Sequence, residues 1–164
     1  QEHSLFRFFR LARPAAEGEH VIPESTEAQC KRRAATAAES TKLLLSRGAT
    51  VAEIRRVRLI DGVPTVSDKS VVPLQLFPEI DHQESLPNTL YSLYQSVYGV
   101  NIVLAKEELS AVLATKADER DLGVKPGSPL LSIERIAMSI NGERAELRTS
   151  RCDTRNIVYA IDVS

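Results

Sequence analysis

The chain has no tryptophan, one methionine, four Phe and four Tyr in 164 residues. A core built from it must rest on Leu, Ile, Val and Ala, and the length is that of one ordinary domain, enough to bury a core without staples. Cysteine is equally scarce: Cys30 and Cys152 lie far apart, and the three histidines (His3, His20, His82) are scattered. No zinc or iron spacing exists around them. Two cysteines fit free thiols in a reducing cytoplasm, with a chance disulfide left open. No apolar run approaches membrane-spanning length, and no signal-peptide pattern opens the chain. No charge of one sign dominates: 21 basic residues face 22 acidic ones, for a net charge of −1. That argues against this chain gripping nucleic acid by itself, which needs a concentrated basic surface. The densest basic run, Lys31-Arg32-Arg33, reads as a solvated strand end. Enzyme motifs are missing too: there is no nucleophile elbow, phosphate loop or dinucleotide fingerprint. Cys152 beside Asp153 has no His near it in sequence and reads most simply as a small strand residue.

Against those absences stand two short turn signals. Asp61-Gly62 separates Thr50–Ile60 from about Val63–Val72, and Asn141-Gly142 separates Leu130–Ile140 from Glu143–Cys152. Each predicts a two-residue hairpin whose central residues adopt positive φ. Ser4–Pro14 reads as a first strand and "NIVYAIDV" as a last one. Ala28–Thr36 and Val100–Ala114 are ambiguous between strand and other structure. Helices are expected over Ala37–Gly48, with Gly48 as a left-handed cap, and over Asn88–Gly99, where Leu90, Leu93, Tyr94 and Val97 share a face. A third, over Thr115–Gly123, carries Thr115 as N-cap and Asp118 at the third helical position. Antiparallel hairpins with helices between them predict an α+β domain around a central antiparallel sheet. No repeat, low-complexity tract or internal boundary divides residues 1–164.

Within the first hairpin, Arg56 and Arg58 fall on one face beside Ile54 and Ile60, because strand side chains alternate. Arginine is the side chain whose planar fork best grips carboxylate or phosphate. Three readings stay open for the pair: exposed arginines, arginines neutralised by Asp68 and Glu146 on the return strands, or arginines holding an anionic ligand. Thr89 is a helix cap or first-turn residue at a helix N-terminus, where free N–H groups attract anions. Tyr91 lies off the apolar stripe of that helix, so its hydroxyl faces either solvent or a pocket.

"VAEIRRVRLIDGVPTVSDKSVVPLQLFPEI", "TLYSLYQSVYGV" and "LATKADERDLGVKPGSPLLSIERIAMSINGERAEL" together resemble the UTRA domain. This is the effector-binding domain of the HutC subgroup of GntR-type bacterial transcription regulators. The resemblance runs over nearly the whole chain and is carried by an ordered series. The series is R-x-R, D-G-x-P, a Pro then F-P, x-L-Y at a helix start, L-G-V-x-x-G-x-P-L-L, and N-G-x-x-x-E. It implies a chorismate-lyase-like α+β fold with a pocket between sheet and helices, homodimerisation, a cytoplasmic location and no cofactor. It also implies a small anionic effector, a phosphosugar or carboxylate, whose binding alters contact with DNA. That contact would run only through an N-terminal winged helix-turn-helix missing from this chain. The opening Gln1, without an initiator Met, fits a processed or truncated chain, with residues 1–4 as a linker remnant. The family's ligand positions fall on Arg56, Arg58, Asp68, Thr89, Tyr91 and Glu146, with a looser match at Phe9 and Arg10. Asp68 stands where Glu is usual, and Cys152 where sugar-phosphate sensors tend to have Tyr. Both departures weigh against a phosphosugar. A fold-related lyase activity and a ligand-free dimerisation module are the alternatives to a sensor, although fold alone does not carry activity.

Overall fold

Two long hairpins form the centre of the fold. The computed structural model describes residues 8–14, 21 and 23–164. Strand β4 (Thr50–Ile60) returns as β5 (Val63–Pro73), and β7 (Pro129–Ser139) returns as β8 (Arg144–Cys152). At the first turn both Asp61 (φ 51°) and Gly62 (φ 77°) are left-handed, as the two-residue turn demands. The second turn differs from expectation. Gly142 alone has positive φ (80°), and its N–H bonds the Ser139 carbonyl at 2.9 Å. Ile140 and Asn141 therefore form the bend, and Gly142 takes the bulge position that follows it.

The hairpins join through β5 and β8. Strands β2 (Glu24–Ser25), β3 (Gln29–Ala34) and β6 (Ile102–Leu113) complete a seven-stranded sheet. Its order is β2-β4-β5-β8-β7-β6, with β3 also on β4, and every pairing is antiparallel. Both ambiguous segments are strands. Lys106-Glu107-Glu108-Leu109 favours helix by local propensity, yet it pairs with β7 throughout. At the termini, strand structure among the described residues is short. Among the described residues there, β1 (Leu11–Ala12) and β9 (Val158–Tyr159) are the strands, paired as a separate ribbon. Residues 4–7 of the expected first strand lie outside the described residues.

Helices cover the sheet on both faces. Helix α2 (Leu90–Tyr98) and a 3-10 turn (Ile80–His82) pack Leu90, Leu93, Tyr94, Phe77 and Ile80 onto Ala52, Ile54, Val72 and Ala137. On the other face, α1 (Ala37–Leu43) brings Leu43 to Val51, Val71 and Leu147, and α3 (Lys116–Leu122) brings Leu122 to Leu130 and Val57. Each fully buried side chain of this size stabilises by roughly 1.5–3 kcal/mol. Helix α1 ends earlier than Gly48. Leu44 (φ 55°) takes the left-handed cap, and Leu45 N–H reaches back to the Ser40 carbonyl at 2.9 Å. The strain of a left-handed leucine, about 1–2 kcal/mol, is offset because the reversal turns Leu45 onto the Leu43 cluster. Among the described residues no helix is long and apolar enough to cross a membrane, and no cluster of His, Cys, Asp and Glu is placed to hold a metal. Cys30 and Cys152 are unpaired thiols.

Candidate functional site

Strand pairing builds a polar layer on the sheet face beneath α2. The register places Arg56 opposite Asp68, Asp68 opposite Ser150, and Arg148 opposite Arg135, which in turn faces Glu107. Directly opposed residues in an antiparallel sheet share a face. Five strands thus contribute chemistry to one surface, below the N-terminus of α2.

Arg56 and Arg58 are both only 5% exposed, which removes the reading of two surface arginines. They face different partners. Arg56 donates from Nη1 to the Pro87 carbonyl (2.7 Å) and from Nη2 to the Asn88 carbonyl (3.0 Å), fastening the loop that leads into α2. Burial first, then Arg58 and Arg148, push its pKa down to about 9. Arg58 donates from Nε to Asp68 Oδ2 (2.9 Å) and from Nη1 to Ser25 Oγ and the Asn88 carbonyl (both 2.7 Å). The second oxygen of Asp68 accepts from Ser150 Oγ at 2.5 Å. Burial alone would raise the Asp68 pKa, but Arg58 and Arg148 hold it below the usual value.

Glu146 has no exposure at all. Its partners are not Arg56 and Arg58. Arg148 donates to both of its oxygens at 3.0 Å, Tyr91 Oη to one at 3.1 Å and Tyr94 Oη to the other at 2.6 Å. Every strong acceptor direction is used, so Glu146 orients Arg148 and the two tyrosines. Arg148 also lies 5.1 Å above the Tyr91 ring. Arg135 donates to Glu107 Oε2 (2.9 Å), to Tyr91 Oη (3.3 Å) and to the Phe8 carbonyl. Glu107 accepts a further bond from Tyr159 Oη, and burial followed by Glu107 pushes the Tyr159 phenol up to about 12.

These groups surround a cavity of about 60 Å³. Of the residues singled out in sequence, Phe9, Arg10, Arg58, Asp68, Thr89, Tyr91 and Cys152 line it, whereas Arg56 and Glu146 do not. Thr89 sits at the N-cap of α2 without a side-chain capping bond; its hydroxyl meets Ser92 Oγ at 3.1 Å. The Cys152 thiol is fully buried, and burial, then Asp68 and Glu107, keep it protonated. Sequence reasoning did not single out Arg135, Arg148, Ser150, Glu107 and Tyr159, which also line the cavity. The alternation that singled out Arg56 and Arg58 also puts Glu146, Arg148, Ser150 and Cys152 on one face of β8. Arg135 and Glu107 arrive through strand register, which no local pattern encodes.

Protein acceptors do not use every donor. Among the described residues, Arg58 Nη2 and Arg148 Nη1 have no protein acceptor, and neither is a fully buried orphan. Both belong to residues lining the cavity. Four arginines (Arg10, Arg58, Arg135, Arg148) border it against two carboxylates, Asp68 and Glu107. A larger open groove of about 640 Å³ lies beside Arg56, but Glu24, Glu27, Asp81 and Glu84 line it, so its field repels an anion.

The UTRA domain family model matches residues 19–157. This chain belongs to the UTRA domain family. UTRA domains serve as the effector-binding domains of GntR-family transcription regulators. The ligand-binding domain of a putative GntR-family regulator from Bordetella bronchiseptica superposes with a TM-score of 0.85 at 34% identity, covering 96% of this chain and 98% of that one. PhnF from Mycobacterium smegmatis shares the fold, with a TM-score of 0.79 at 17% identity over 87% of this chain and 63% of its own. A probable fructoselysine utilization operon transcriptional repressor of Escherichia coli K12 is 26% identical over 97% of this UTRA chain and 63% of its own length. The transcriptional repressor NagR of Bacillus subtilis is 29% identical over 69% of this chain and 47% of its own. The chain therefore spans about half to two thirds of the length of these curated relatives.

Proposed function

We propose that residues 1–164 form a single UTRA domain that binds a small anionic metabolite in the cavity beneath α2 and so modulates operator binding by a transcription regulator. DNA contact would come from a domain outside this chain, and the active unit would be a homodimer in the cytoplasm, with no enzymatic step. The observation that carries the reading is the pair of guanidinium nitrogens, Arg58 Nη2 and Arg148 Nη1, that no protein acceptor uses among the described residues and that belong to residues lining the cavity. A guanidinium N–H that no protein acceptor uses gains a partner when an anion binds beside it. Charge-assisted bonds at such a site are stronger than neutral ones.

The relatives named for sugar-related operons support a phosphosugar. Asp68 in place of Glu, Cys152 in place of Tyr, and a cavity with room for roughly two waters support a smaller carboxylate. A larger effector would have to displace the wall made by Phe8, Phe9 and Arg10. Signalling then requires the anion to prefer one arrangement of the regulator over the other. Calorimetric titration with hexose phosphates and with di- and tricarboxylates tests the proposal. Saturable one-to-one binding of one class, weakened by salt, is the expected result. No heat above background across both classes leaves Arg58 as Asp68's partner alone, and the chain as a ligand-free pairing module.

A further inference from the structure

Three structures supply most of the cavity lining, and they are not equally fixed. The face of the seven-stranded sheet is held by continuous backbone pairing. The start of α2 is fastened by Arg56 and Arg58 through the Pro87 and Asn88 carbonyls. The β1–β9 ribbon supplies Phe8, Phe9, Arg10, Leu11 and Tyr159. Backbone pairing ties β1 to β9, and among the described residues it ties neither to the large sheet. A two-stranded ribbon by itself is marginal in water. Side chains hold its cavity end down. Arg135 donates to the Phe8 carbonyl, Tyr159 Oη donates to Glu107, and the Phe8 ring meets Tyr91 edge-on at 5.8 Å. The opposite end is anchored to the first hairpin. Arg13 Nη2 bonds both Asp61 oxygens (2.8 and 2.7 Å), and the Asp153 N–H bonds the Thr65 carbonyl (2.9 Å) just before the chain enters β9.

We propose that the β1–β9 ribbon is a lid that hinges at residues 153–156 and lifts off the sheet to admit the anion, with the Tyr159–Glu107 hydrogen bond as its latch. The volume calls for a wall that moves. At about 60 Å³ the cavity has room for roughly two waters, which even a small organic anion exceeds. The ribbon is the wall that yields most readily, because lifting it breaks side-chain contacts to Glu107, Arg135 and Tyr91 and no pairing of the large sheet. Lids of this kind gate entry by such hinged steps. Lifting the ribbon also uncovers Cys152. That thiol is fully buried in one cluster with Leu11 and Ile157 on the ribbon side and Val66 and Ile133 on the sheet.

What the lid admits rests on the anion reading, but its opening does not, so the test uses no ligand. Labelling of Cys152 by N-ethylmaleimide, mapped by peptide mass, reports the opening in a range where the rate rises linearly with reagent. The rate should depend on low urea far more weakly than global unfolding does, because lifting a ribbon exposes little surface. Tyr159→Phe removes only the latching hydroxyl and should speed labelling about tenfold. Thr36→Ala loosens a helix cap on the other face of the sheet, so it lowers global stability and should leave the labelling rate unchanged. Labelling that follows the urea dependence of global unfolding overturns the proposal. So does a Thr36→Ala chain that labels as fast as Tyr159→Phe, or a Tyr159→Phe chain no faster than wild type. Each of these outcomes leaves the anion site standing, because that site is read by heat of binding.

Discussion

Arg56 and Arg58 stand two residues apart in β4 and have separate roles. Arg56 spends its guanidinium on the carbonyls of Pro87 and Asn88, while Arg58 keeps one nitrogen for the cavity. Lysine at position 58 would retain the charge but lose the fork that bonds Asp68, Ser25 and a ligand together. Arg58→Lys should weaken anion binding about tenfold by calorimetry, with the far-ultraviolet spectrum unchanged. Glu146, with no exposure, anchors Arg148, Tyr91 and Tyr94. Glu146→Gln strips the largely buried Arg148 of its counter-charge, which should cost about 3–5 kcal/mol in urea unfolding, the cost of breaking a buried pair. An unchanged unfolding midpoint would show that Glu146 does not hold the layer together. At this scale the sequence was half legible. Alternation marked one arginine pair and missed Arg148, because acids, cations and hydroxyls mixed along β8 look like any solvated strand.

Helix ends carry their own titratable anchors. Thr36–Glu39 and Thr115–Asp118 are reciprocal capping boxes at the starts of α1 and α3. Thr36→Ala or Thr115→Ala should each cost about 1 kcal/mol in the same unfolding assay. The acids of both boxes are ion-paired, Glu39 with Arg33 and Asp118 with Arg151. Those arginine hydrogen bonds, the largest cause in each case, hold both carboxyls at about 2. Their folded values lie below the unfolded ones, about 4 for carboxylates. Their contribution is therefore fully present above about pH 5 and is lost as pH falls toward 2. The melting temperature should drop steeply through that window; a flat profile between pH 5 and 2 would contradict the assignment. The Thr115–Asp118 box was legible in the sequence, as was the Asp61-Gly62 turn, because each is set by residues within one turn of chain; the Thr36–Glu39 box was not singled out. Strand β6 was not legible, because its partner β7 lies beyond α3 and overrides a locally helical composition. The end of α1 was misplaced for a related reason: a buried leucine contact, rather than the glycine, decides where the helix stops.

For the whole molecule, the fold puts the proposed anion site beside β6, the outermost strand of the sheet among the described residues. Glu107 belongs to both: it lies on β6 and lines the cavity. The antiparallel α+β architecture followed from the two hairpins, but the layer of arginines followed only from how five strands align. Burial of Arg56, with its pKa pushed down to about 9, means that charging it costs stability at neutral pH. A bound anion favours the folded state by mass action, so ligand should raise the melting temperature. The most direct measurement is a crystal structure of this chain grown with the anion that gives the largest calorimetric heat. The account predicts the anion within hydrogen-bonding distance of Arg58 Nη2 and Arg148 Nη1, below the first turn of α2. An anion seated elsewhere, with those two nitrogens untouched, would contradict it.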